Sequence, residues 1–146
     1  MNGEPGTNTK CILPYARGGL TAVYAEALTR EAVWTALRKR HCYATDGARI
    51  YVRFTCGDAM MGDEVVRIEP PAIEVEAKGT VPLESVEIIR YLQGYEVVHS
   101  EGGGEFDVSF QWRDDSWKKG QGLCFYYVRV TQQDGHRAWT SPIWID

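Results

Sequence analysis

Residues 106–113 read Phe-Asp-Val-Ser-Phe-Gln-Trp-Arg. Large apolar side chains take every second position, and Asp107, Ser109, Gln111 and Arg113 fill the places between. A period of two is the signature of an extended strand with one dry face and one wet face. Phe106, Val108, Phe110 and Trp112 are therefore expected to point inward. The same alternation recurs elsewhere. Ile50, Val52 and Phe54 alternate with Arg49, Tyr51 and Arg53, while Ile73, Val75 and Ala77 alternate with Glu74, Glu76 and Lys78. Cys124, Tyr126, Val128 and Val130 form the inward row of a further strand. Asp134-Gly135 predicts a tight turn from it into a partner running from His136 to Ile145. Residues 86–90 and 95–99 predict one more hairpin. Short strands with one dry face each imply antiparallel pairing in two packed sheets. The expected fold is mainly β, an immunoglobulin/fibronectin-like antiparallel β-sandwich over residues 47–146, without the Cys-Trp-Cys spacing of a true immunoglobulin domain.

Residues 1–46 read differently. The first 18 are rich in Gly, Asn, Thr and Pro and predict a loop. Gly19-Leu20-Thr21-Ala22-Val23-Tyr24-Ala25 predicts a short strand whose small and apolar residues suit a sheet covered on both faces. A helix follows from Thr29 to about His41, with Thr29 as N-cap, Glu31 in the first turn and Arg38, Lys39, Arg40 and His41 crowding the last. That charge order complements the helix dipole. Val33, Trp34 and Leu37 are its expected buried stripe. A strand joined to a helix is half of a βαβ unit and cannot cover itself.

The chain has 146 residues, 16 basic and 20 acidic, for a formal charge of −4. A pI near 5.4 argues against sequence-independent nucleic-acid binding, which needs a dense basic face. No apolar run approaches the roughly 18 residues that span a bilayer. The opening Met-Asn-Gly-Glu-Pro-Gly has neither the basic nor the apolar part of a signal peptide, so a soluble, cytoplasmic setting is the default expectation. Cys11, Cys42, Cys56 and Cys124 are spaced by 31, 14 and 68 residues. With no C-x-x-C among them, free and mostly buried thiols are expected.

Few constellations carry chemistry. Gly102-Gly103-Gly104 stands between strands and predicts a hairpin loop, since a phosphate cradle would need a following helix. Asp114-Asp115 reads as a solvated loop pair. Cys42 beside His41 is no nucleophile pair, because neighbours on a helix end diverge. His41, His99 and His136 form no metal motif. The five Trp and eight Tyr are the compositional excess. Core packing is one explanation, and a sugar-stacking platform is the other. For the platform, Trp117 and Tyr127 are the candidates, Trp117 as the most loop-like of the aromatics.

Two stretches carry a family resemblance. GGLTAVYAEALTREAVWTALRKRHCYATDGARI (residues 18–50) resembles the closing segment of the catalytic domain in the domain-of-unknown-function 3604 family. YYVRVTQQDGHRAWTSPIWID (residues 126–146) resembles the same family's C-terminus, and GDAMMGDEV and PLESVEIIR fit its order. Asp46 departs from the family's usual second threonine, and Tyr91-Leu92-Gln93 expands a tighter turn. The resemblance implies a relationship to the polymerase-and-histidinol-phosphatase (PHP) superfamily, whose distorted βα barrels hold divalent metals, Zn or Mn, that activate water against a phosphoester. It implies that residues 1–46 are the loop, terminal strand and helix of such a barrel. The family's last Asp-x-His pair would lie upstream of Gly3-Glu4-Pro5-Gly6, so no catalytic or metal-binding residue is expected in this chain. Arg17, Tyr24, Thr45 and Arg49 are the residues that would approach the substrate in a full-length parent, for which export is the alternative setting. The implied partners are the missing N-terminal barrel portion or a second copy of this chain. Neither nucleic acid nor membrane is expected.

Overall fold

A computed structural model describes residues 18–67 and 69–146. The alternating segments form strands, and the dry faces of two sheets meet. The larger sheet has eight strands, built around β10 (Cys124–Gln132). Along one side, the first part of β10 pairs with β12 (Ile143–Ile145) and the last part with β11 (Arg137–Thr140). Along its other side it pairs with β7 (Leu83–Tyr91), which pairs in turn with β8 (Tyr95–Glu101). Beyond β11 come β2 (Cys42–Thr45) and then β1 (Leu20–Val23). β5 (Glu64–Val65) adds a short parallel pairing to β12. The smaller sheet runs β4 (Ala59–Met60), β3 (Tyr51–Cys56), β6 (Ala72–Lys78), β9 (Asp107–Arg113), antiparallel throughout.

Val52, Phe54, Ile73, Val75 and Ala77 meet Val86, Ile88, Cys124, Tyr126, Val128 and Val130 in one core. Apart from Val86 and Ile88, these are the inward rows expected from their alternation, and the mainly β, antiparallel architecture is consistent with a sandwich. Burying a side chain of this size contributes about 1.5–3 kcal/mol, so the two facing rows are the main source of cohesion. The helix α1 (Arg30–Arg38) is capped by Thr29, whose Oγ1 accepts from the Ala32 N–H at 3.2 Å.

Several expectations need correction. Residues 136–145 do not form one strand, because Ser141-Pro142 interrupts it. Proline offers no N–H to a ladder, and the Pro142 carbonyl instead accepts from Gly62 at 2.8 Å. Gly102–Gly104 does not close a hairpin: it carries the chain from β8 in the larger sheet to β9 in the smaller. All three glycines have positive φ, and a Cβ on Gly102 would lie 2.6 Å from the Glu84 carbonyl oxygen. Phe106, placed in the inward row, is 54% exposed, since it precedes the paired part of β9. β1 is an antiparallel edge strand with Leu20 and Thr21 exposed, not a strand covered on both faces. The α1 stripe is also rotated: Ala36 is buried and Val33 half-buried, whereas Trp34 and Leu37 are exposed.

Candidate functional site

α1 leaves its last turn through Arg40, which adopts φ +61°. That turn is possible because Gly62 approaches it closely: a Cβ there would lie 2.4 Å from the Arg40 carbonyl oxygen. Arg40 Nε donates to the Gly62 carbonyl at 3.1 Å, its guanidinium reaches Glu64 at 2.8 Å, and it lies over the Trp144 ring at 4.8 Å. The next residue, His41, contacts the Asp63 carboxylate through Nε2 at 2.8 Å. Asp63 also accepts from the Met60 N–H. Burial alone would raise the Asp63 carboxyl; the bonds from His41 and Met60 and nearby positive charge outweigh it and hold it below its usual range. A cleft between α1 and the exit of β1 is lined by Tyr24, Glu26, Glu31, Thr35, Lys39 and His41.

Among the expected substrate-proximal residues, Tyr24 borders this cleft. Its hydroxyl donates to the Val52 carbonyl at 2.6 Å, and burial pushes the phenol upward, so it stays a protonated donor at neutral pH. Thr45 sits at the opposite end of the β1–β2 pair, facing Leu20, and its Oγ1 accepts from the Gly47 N–H. Arg49 is exposed in the connection from β2 to β3. Arg17 lies outside the described residues. Tyr24 and Thr45 are thus not brought together. Cys42 is half-buried and 3.6 Å from the Ser141 hydroxyl; Cys42, Cys56 and Cys124 are free, and Cys11 falls outside the described residues.

Each histidine meets one carboxylate in a different place: His41 with Asp63, His99 with Glu101 and His136 with Asp46. Among the described residues, no group of three or more His, Cys, Asp or Glu is placed to hold a metal ion. The donor set therefore does not fit the divalent metal that the resemblance implies. Among them, too, no helix is long and apolar enough to cross a membrane.

The sugar-platform candidates separate. Trp117 is only 5% exposed and belongs to the core, which removes it as a platform. Its burial traces to Asp114, which closes the turn by accepting from the Ser116 N–H at 3.0 Å and from its hydroxyl. That rolls Trp117 inward. Asp114 is itself not the solvated carboxylate expected from its sequence. It is 2% exposed and accepts from the Tyr126 hydroxyl and the Arg90 guanidinium, each at 2.6 Å. Arg90 also pairs with Glu96. Asp115 does lie at the surface, beside Arg113. The missed signal was Arg90, which shares strand parity with Val86 and Ile88. A guanidinium entering a core row requires a carboxylate.

Tyr127 is half-buried on the outer face of the larger sheet, where Trp144, Phe125, Tyr91 and Tyr95 form one cross-strand row. Tyr91 and Phe125 stack at 4.9 Å with 8° between planes, and Tyr95 meets Tyr91, Phe125 and Tyr127 edge-on. Rings stacked on one another spend their faces on sheet packing. Tyr95, at 68%, is the most exposed of the row.

The fold and side chains define a two-sheet β protein with a polar lock at its helix exit and no assembled metal centre among the described residues. Residues 2–86 match the family described as "Protein of unknown function (DUF3604)", and the chain belongs to that family. It is 37% identical over 140 residues to an uncharacterized protein of Chlamydia trachomatis and 38% identical over 143 residues to one of Chlamydia pneumoniae. The first match covers 88% of this chain and 22% of the relative, the second 88% and 23%. The chain spans about a fifth of the length of these relatives. A solved engineered protein is similar over 66% of this chain and 20% of its own at TM-score 0.39 and 15% identity, which carries no argument.

Proposed function

We propose that this chain is the non-catalytic, C-terminal accessory portion of a PHP-like metal-dependent phosphoesterase family protein. α1 is the element nearest the barrel, while β1 and β2 extend the larger sheet by pairing onto β11. The two sheets are an immunoglobulin/fibronectin-like sandwich that props the barrel and shapes its entrance. Zn or Mn and the ligands for it belong to the larger remainder. The observation that carries the reading is the dispersal of the histidine–carboxylate pairs. Each is closed on itself in a separate part of the fold: His41–Asp63 and His136–Asp46 tie distant segments together, and His99–Glu101 lies within β8.

The test is hydrolysis of a phosphodiester with added Zn or Mn, comparing this chain with the full-length Chlamydia trachomatis relative. Turnover is expected from the relative alone. Turnover by the chain overturns its non-catalytic role, and an inactive relative removes the phosphoesterase assignment.

A glycan- or polymer-binding role is the second reading, favoured by the exposure of Tyr95 beside Tyr127. Binding on a glycan array, abolished by Tyr95→Ala, would establish it. An array blank for the wild-type chain removes it.

A further inference from the structure

We propose that the outer face of α1, made by Leu28, Val33, Trp34 and Leu37, is the surface by which this chain docks on the remainder of the family protein; the inference rests on the accessory reading above. α1 is built inside out. A surface helix ordinarily turns its large apolar residues to its own core and its polar residues to water. Here Ala36 is the buried residue, while Trp34 is 60% and Leu37 40% exposed. Leu28 stands one residue before the Thr29 cap, where an apolar side chain ordinarily staples onto the first turns of the helix. It is instead 99% exposed. Leu28, Val33, Trp34 and Leu37 line one groove together with Arg30 and Glu31, and Arg38 lies 6.0 Å from the Trp34 ring centre. The complementary surface is therefore apolar, with polar groups of both signs at its edge.

The occupant follows from size. Four side chains supply a few hundred Å², well short of the roughly 800 Å² per partner that a stable separate complex buries. A second copy held by this face alone would dissociate. Within one polypeptide the same patch suffices, because a tether raises the effective concentration to the order of 1 mM. The relatives place nearly four-fifths of their length outside the region this chain matches, ample protein to supply the partner surface. Against a patch Kd of ~0.1 mM, that tether gives about a tenfold excess of docked over undocked. The lock at the helix exit, where Arg40 and His41 grip residues 62–64, holds α1 in the orientation that presents this face.

The experiment is hydroxyl-radical footprinting of Trp34 and Leu37 in two proteins. One is this chain. The other is a chimaera in which it replaces the matched segment of the Chlamydia trachomatis relative, with the aligned helix of the unmodified relative as second readout. Labelling in the chain alone is expected to be fast and independent of dilution. In the chimaera it should fall about tenfold and be restored at Leu28 and Val33 by Trp34→Ala with Leu37→Asp. Equal labelling in the chain and both longer proteins overturns the proposal. Protection in the chain alone also overturns it. If that protection is lost on dilution the occupant is a second copy, and if it is lost on deleting residues 1–17 the occupant is the chain's own segment. Footprinting reads no activity, so an inactive relative sinks the phosphoesterase assignment and leaves docking standing.

Discussion

Asp114 links four parts of the structure through a single carboxylate: the β9 exit, Arg90 on β7, Tyr126 on β10 and the turn that buries Trp117. Burial would by itself raise this carboxyl, but bonds from Ser116, Tyr126 and Arg90 outweigh it and hold it below its usual range. Removing one partner of such a buried pair leaves the other charge uncompensated, at about 3–5 kcal/mol. Asp114→Ala should lose stability of that order in urea denaturation at neutral pH and increase Trp117 accessibility to quencher. The sign of the pH dependence follows from the depressed folded-state value. The contribution is present above the unfolded carboxyl value of about 3.9 and is lost as pH falls through the lower folded one. Stability of the wild type should therefore drop below about pH 4, and Asp114→Asn should flatten part of that drop; an equally steep acid limb in the variant contradicts the assignment. At this scale the sequence was only half readable. The parity of Arg90 and the inward row containing Tyr126 were visible. That Asp114 sits within reach of both depended on which strands become neighbours, and adjacent acidic residues otherwise prefer water.

α1 stops at Arg38, short of the expected His41, because the chain turns at Arg40 with φ +61°. Its start was legible because capping is local: Thr29 caps and Glu31 sits in the first turn. Its orientation was not. Periodicity identifies an apolar stripe but does not say which neighbour covers it, and here the large side chains turn away from the described domain. Two substitutions separate the faces. Trp34→Ala and Leu37→Ala should each change the stability of the isolated chain by no more than about 0.5 kcal/mol. Ala36→Leu, forced against β1 and the helix exit, should destabilise by about 1–3 kcal/mol. Thermal denaturation of the three variants decides the matter, and a large loss at Trp34 would mean that the exposed face packs within the chain. Strand readings fared by the same rule. β3, β6 and β10 were legible from clean alternation, whereas β2 lies in Cys42-Tyr43-Ala44-Thr45, too short and mixed for a period. Its partners β1 and β11 come from distant parts of the chain.

As a whole, the molecule divides its side chains between cohesion and an uncovered surface. Two sheets enclose one core, and His41 and His136 each tie distant segments together through a single carboxylate. Sequence patterning indicated the mainly β, antiparallel character because alternation records one-sided burial directly. It could not order the strands, and so took the triglycine for a hairpin and Trp117 for a surface residue. Membership of the family is carried by residues 2–86, while the chain accounts for about a fifth of its Chlamydia relatives. On the proposed reading, metal chemistry lies outside this chain. That claim is tested most directly by measuring bound metal, by plasma mass spectrometry, after loading this chain and the full-length Chlamydia trachomatis relative with Zn or Mn and dialysing both. Stoichiometric metal in the relative and only traces in the chain is the predicted result. Stoichiometric metal retained by the chain itself would contradict it.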